Sequence, residues 1–449
     1  MKRLFSIFLA ALLMLCCALP AFAAGYDPSA VYNVQAEAAY VVNTDTNIIM
    51  FEKNSDMQLP AKGLTKLMNA ALILSLYQDE LDSKIILMPR AVSDYVFGTT
   101  TADVRAGENY TLREMLYGML LPNGNDAAEG TAHVLSGGDR TGWVTQMNAL
   151  SQKIGAVNSV WTDASGLDDG NLTTAKDMYL ILRYLMDYDA FVEIMGTYQM
   201  KVEPHEKHTA SFWWNSTNKM LSKSQGGKYY RSAMMGGKTD VSGAYPNKGI
   251  NTQSMVSWAN KDGATYIFSL MNSPFTCDDY GYATLRPALY ETGKLMDWVF
   301  EGFTIKGALD TSAPIGAVPV KYSSETDNLK LYPAQDLRTV LPASSDYTVT
   351  QKRFHLPQAV YAPVKQGDVV GSVTLMLAGE PIGTVELLAG QDVSRNNVLY
   401  TISKLEDFLT GTYFKVVLVL SLSAVAVYST VFTLRSRKGK RANRVHRES

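Results

Sequence analysis

The chain has 449 residues, 47% hydrophobic and 19% charged, a globular composition with length for two or three domains. Its net charge of −2 hides basic ends: residues 24–434 alone hold 32 basic and 42 acidic residues, a net of −10. That acidity excludes nucleic acid as a partner.

Lys2 and Arg3 precede an apolar run, residues 4–19, and Ala21-Phe22-Ala23 supplies small residues at the cleavage spacing. Residues 1–23 therefore read as a secretory signal peptide. Cys16 and Cys17 fall within it, which leaves Cys277 alone in the mature chain. No internal disulfide can form, as is ordinary for a bacterial envelope protein. The apolar runs 38–42 and 48–52, parted by Asn43-Thr44-Asp45-Thr46-Asn47, predict a hairpin. Helical spacing follows at 64–76, at 112–121 and 126–135 around Pro122-Asn123-Gly124, and at 174–186. Strands are predicted at 254–258 and 265–270, and a helix at 285–300.

Beyond about Lys306 the pattern changes to short strands, at 318–321, 329–332, 347–350 and 371–375, with Gly, Pro and Asp between them. Residues 416–434 then carry no charge, and seven basic residues follow between Arg435 and Arg447. A run of that length spans a bilayer core, and the basic block keeps the tail cytoplasmic. The body of the protein is then extracellular. The five histidines (His133, His205, His208, His355 and His446) are scattered, and no Cys/His cluster has metal-ligand spacing. Neither metal nor cofactor is expected.

Three short clusters carry the chemistry. Gly63-Leu64-Thr65-Lys66 has the spacing of a Ser-x-x-Lys helix start, with glycine where the nucleophile would stand. That spacing puts hydroxyl and amine on one helix face, so that the lysine can take the serine proton. Thr65 cannot substitute, because adjacent helix positions do not face each other. The other two clusters are Asn123-Gly124-Asn125 and Lys238-Thr239-Asp240. Around them stand Ala106-Gly107-Glu108, residues 163–167, Thr174-Ala175-Lys176-Asp177, Ser216-Thr217-Asn218 and residues 361–368.

In these clusters the chain resembles the low-molecular-weight penicillin-binding proteins, serine D-alanyl-D-alanine carboxypeptidases of the peptidase S11 type, over roughly residues 34–397. These enzymes trim peptidoglycan stem peptides. The resemblance implies an α+β fold. A penicillin-binding/β-lactamase-like domain, an antiparallel sheet flanked by helices, fills 34–305. A small all-β domain fills 306–397, followed by a linker at 398–415, a transmembrane helix at 416–434 and a cytoplasmic tail at 435–449.

It also implies that Lys66 and Asn125 are the catalytic positions retained, beside degenerate Gly63 and Asn123. Lys238 and Thr239 would hold a terminal carboxylate, which Asp240, replacing the family's glycine, would repel. Each retained residue has a plainer reading as well. Lys66 could serve as partner to a carboxylate, Asn125-Asp126 as a helix cap, and Lys238 and Thr239 as ordinary strand residues. Trp213-Trp214 and Tyr229-Tyr230 fit either a groove lining or half-buried packing. The functional expectation is a non-catalytic homologue that binds the D-Ala-D-Ala end of the stem peptide or scaffolds cell-wall enzymes. The alternatives are an active serine-type carboxypeptidase with an unrecognised nucleophile, and a purely structural protein.

Overall fold

A computed structural model describes residues 32–242, 251–275, 285–344, 350–377 and 380–445. The signal peptide, Cys277 and His446 lie outside the described residues. The chain forms two compact units. The first comprises residues up to 307 together with 338–350 and 377–382, and the second comprises 308–337, 351–376 and 383 onward.

The first unit is built on an antiparallel sheet of β1 (Ala38–Asn43), β2 (Ile48–Lys53), β3 (Met234–Ser242), β4 (Asn251–Lys261) and β5 (Ala264–Phe275). The strand order is β2-β1-β5-β4-β3. β1 is buried throughout, and its alternation shows why: Ala38, Tyr40 and Val42 enter one core, while Ala39 and Val41 enter another on the opposite face. Helices therefore cover both faces, as the α+β expectation requires. α1 (Thr65–Tyr77) is buried at every position from Thr65 to Leu74. A helix apolar on all sides belongs in the centre of a domain, and α1 carries the first motif there.

α2 (Leu112–Leu120) starts with Thr111 and Glu114 bonded reciprocally as a capping box. The turn after it places Asn123 in the left-handed region, φ +68°, a conformation that asparagine tolerates better than most residues. α3 (Asn125–Leu135) begins directly after that turn. α4 (Arg140–Ile154), which the sequence reading passed over, is amphipathic enough to bury only Trp143, Met147 and Ser151. α5 (Ala175–Leu185), α6 (Asp189–Gly196) and α7 (Pro287–Gly302) follow in the same unit.

The second unit carries β6 (Gly316–Lys321), β7 (Asn328–Pro333), β8 (Gln351–His355), β9 (Val360–Tyr361) and all but the adjoining ends of β10 (Val369–Leu377) and β11 (Glu380–Ala389). They form one sheet in the order β8-β10-β11-β7-β6-β9. The strand expected at 347–350 falls mostly outside the described residues, and the strand described there is β8. The stretch 398–415, read as a linker, is largely helical. The Asn396 side chain caps α8 (Asn397–Thr410) by accepting from the backbone N–H groups of Val398 and Leu399. Val398, Ile402, Leu405 and Leu409 form an exposed stripe along it. Extended Gly411 separates it from α9 (Thr412–Val445). The 24 residues Thr412–Arg435 are apolar and long enough to cross a membrane, and none of the apolar side chains is buried in the protein. At 1.5 Å per residue they reach about 36 Å, against roughly 30 Å of bilayer core.

Candidate functional site

The three clusters meet at one place. Residues 62–64 form a 3-10 turn that feeds α1, with Gly63 and Leu64 buried. Lys66, one helical turn on, is fully buried and donates from Nζ to Asn125 Oδ1 at 2.6 Å and to the Ser165 carbonyl at 2.7 Å. The Ser165 loop reaches it because Gly166 takes φ +88° with its α-carbon packed against the Lys62 carbonyl, where a β-carbon has no room. Burial pushes Lys66 down to about 8, opposed by Asp240, Asp163, Glu129 and Asp126. Burial thus favours the free amine, and the surrounding acids favour the ammonium.

The second and third clusters face the first. Lys238 on β3 is buried and donates to Asn123 Oδ1 at 2.6 Å and to the Thr239 carbonyl at 3.2 Å. Asn123 Nδ2 donates to Asp240 Oδ1 at 3.0 Å. The Gly63 backbone N–H also faces the Asp240 carboxylate. Burial raises the Asp240 carboxyl, and Lys238, Lys66, the Gly63 N–H and Asn123 hold it back. Burial likewise pushes Lys238 down to about 7; the Lys66 cation lowers it further and Asp240 opposes both.

The decisive geometry is at Gly63. A β-carbon added there would run into Asp240 Oδ1 and would stand 2.8 Å from both amide atoms of Asn123. The room a nucleophile's side chain would need is filled by the two other substituted residues. Gly63, Lys66, Asn123, Asn125, Lys238 and Asp240 thus form one polar cluster, with Thr239 buried between the last two on β3. The sequence reading of Asp240 as a simple repulsive charge is incomplete, because its carboxylate is a counter-ion to two buried lysines.

A supporting layer lies behind. Asp126 accepts from the N–H groups of Ala102 and Val104 at 2.7 and 2.8 Å, fixing the loop before α2. Glu129 accepts from the Ser165 hydroxyl at 2.8 Å and from Arg140 at 3.0 Å. Glu129 drew no notice in the sequence, although an acid inside the small apolar run Ala127–Ala132 is a readable signal. Trp214 is buried, with its indole N–H on the Ala102 carbonyl at 2.7 Å, whereas Trp213 is exposed. Tyr229 accepts from the Arg286 N–H at 3.0 Å. His208 sits between Glu108 and Asp103 at 2.8 and 2.9 Å. Among the described residues no group of three His, Cys, Asp or Glu is placed to hold a metal ion.

Residues 25–245 match the D-alanyl-D-alanine carboxypeptidase family model, peptidase S11, and residues 308–395 match the C-terminal domain of penicillin-binding protein 5. The chain belongs to the D-alanyl-D-alanine carboxypeptidase family. It is similar to the D-alanyl-D-alanine carboxypeptidase DacF of Bacillus subtilis, at 23% identity over 88% of this chain and 95% of the relative. It is also similar to DacB2 of Mycobacterium tuberculosis, at 27% identity over 63% of this chain and 86% of that one. In fold it matches the crystal structure of the carboxypeptidase DacD from Francisella tularensis, TM-score 0.62, 18% identity, over 81% of this chain and 95% of that structure. Penicillin binding protein 5 from Haemophilus influenzae aligns with a TM-score of 0.57, at 20% identity over 81% of this chain and 99% of that one.

Proposed function

We propose that this protein is a non-catalytic homologue of the bacterial cell envelope, which binds peptidoglycan stem peptide or scaffolds cell-wall enzymes without cutting the peptide. The observation that supports this reading is the Asp240 carboxylate seated where a nucleophile on residue 63 would project. No hydroxyl stands one helical turn before Lys66, so its amine has no nucleophile to activate. Asn125 is committed to Lys66 and Lys238 to Asn123, both as structural donors and acceptors.

On this reading the protein is anchored by α9, with the body outside the cell and the basic tail inside. The stripe on α8 would rest at the bilayer surface beside the span. The division into a carboxypeptidase-like domain at 34–305 and a β-rich domain at 306–397 belongs to the same proposal. Purified protein treated with fluorescent penicillin should show no band after denaturing electrophoresis. It should also release no D-alanine from a pentapeptide. A labelled band that survives denaturation returns the protein to the active serine enzymes. Calorimetry with a D-Ala-D-Ala-ended pentapeptide then separates the two roles, because saturable heat supports peptide binding and its absence at millimolar ligand leaves the scaffold.

A further inference from the structure

Lys238 Nζ, the Asn123 carboxamide and the Asp240 carboxyl stand in a row. The amine is 2.6 Å from Oδ1 of Asn123, and the electrophilic Cγ is one bond behind that oxygen. On the other side of the same carboxamide, the nitrogen that would depart is already bonded to Asp240 Oδ1 at 3.0 Å. Lys238 is buried at 1% exposure and Asn123 is half-buried, so little water competes at the amine.

We propose that Lys238 and Asn123 become joined by an intramolecular isopeptide bond, with Asp240 as the proton donor to the departing nitrogen. The neutral Nζ attacks Cγ of Asn123 and the C–N bond forms. Asp240, already bonded to Nδ2, gives that nitrogen a proton, and the former lysine nitrogen gives up one to solvent. The Cγ–Nδ2 bond breaks, ammonia leaves, and Asp240 regains its proton from solvent. Nothing is oxidised or reduced, and no further reactant is required. The protonation states favour the step: burial and the Lys66 cation hold Lys238 near 7, so free amine is present at neutral pH, and burial raises Asp240 toward the form that can donate.

The site contains its own comparison. Lys66 and Asn125 are also 2.6 Å apart, but Asn125 Nδ2 donates to the Thr99 hydroxyl at 3.1 Å and has no carboxyl on its leaving nitrogen. Lys66 is held by the Ser165 carbonyl at 2.7 Å, more closely than Lys238 is held by the Thr239 carbonyl at 3.2 Å. The reaction is therefore assigned to Lys238–Asn123, and it arises from two of the residues that abolish the nucleophile site. It does not depend on whether the cleft holds a ligand.

The test is mass spectrometry on the mature full-length chain purified in detergent. The expected intact mass is lower than the sequence mass by one ammonia. Trypsin should yield residues 114–140 joined to 232–248, because a modified Lys238 resists cleavage. Asp240→Ala and Lys238→Arg should each restore the full mass and abolish the joined peptide. Asn123-Gly124 can lose ammonia by a different route, closing to a succinimide on its own backbone. That product opens in hydroxylamine, persists in Lys238→Arg and joins no second peptide. Either that outcome or an unaltered mass in the wild type overturns the proposal. A loss of water in place of ammonia would mean that a lysine has joined Asp240, and would overturn it equally. Penicillin labelling is independent of all these results, so failure here and failure of the non-catalytic reading are told apart.

Discussion

The front and the back of the cleft have followed different rules. At the back, Lys66, Asn125, Ser165, Asp126 and Glu129 are buried and their principal polar atoms are hydrogen-bonded to one another or to backbone. At the front stand Gly63, Asn123 and Asp240, the three positions read from the sequence as degenerate. Their contacts make them one unit: the carboxylate fills the room above the glycine, the asparagine bonds the carboxylate, and the lysine bonds the asparagine. The difference teaches that a buried charge network is kept because breaking it is costly, whereas a cleft wall can be exchanged if it is exchanged as a set.

The largest effect should come from breaking the set. Gly63→Ser places a side chain against Asp240 and should lower stability by about 3 kcal/mol, in the range of overpacked cores. Gly63→Ser with Asp240→Gly should recover most of that loss in a denaturant titration. Strict additivity of the two changes would show that front-row residues act singly. Neither variant should regain full carboxypeptidase activity, because Asn123 still lacks a hydroxyl and catalytic groups that act as a unit restore little one at a time.

A smaller effect sharpens the view of the back. Lys66 holds its proton less tightly when folded, near 8, than an exposed lysine does at its ordinary value of 10.5. Between those pH values the unfolded chain binds more protons, so stability rises with pH through that window. The rise attributable to Lys66 should be about 2 kcal/mol, somewhat less than the full shift implies because the neighbouring charges retitrate with it. Lys66→Met should flatten it. An equally steep rise in Lys66→Met would place the titration elsewhere. The smallest change calibrates the others: Thr111→Ala removes the cap of α2, remote from the polar cluster, and should cost about 1 kcal/mol with the same pH profile as wild type. A changed profile would show that the cluster is not self-contained.

Much of this was legible in the chain itself. The spacing of Gly63 and Lys66 marked the position read as the missing nucleophile, and the apolar run 38–42 before turn residues marked a strand. What spacing could not show was that Asn123 and Asp240, 117 residues apart, meet over Gly63. Each residue taken singly reads as a loss, and only the fold makes them partners. α8 was missed for a different reason: its stripe of Val398, Ile402, Leu405 and Leu409 runs directly into a longer apolar segment, so its own period was hidden by its neighbour.

The filled space over Gly63 also bears on the history of the chain. A lineage could return to serine at position 63 only through the collision with Asp240. It could return to glycine at position 240 only by leaving Lys66 and Lys238 without the carboxylate that now faces them. Either single reversal therefore disturbs the polar row, whereas a paired change at 63 and 240 removes the collision. The row acts as a latch that two residues release together.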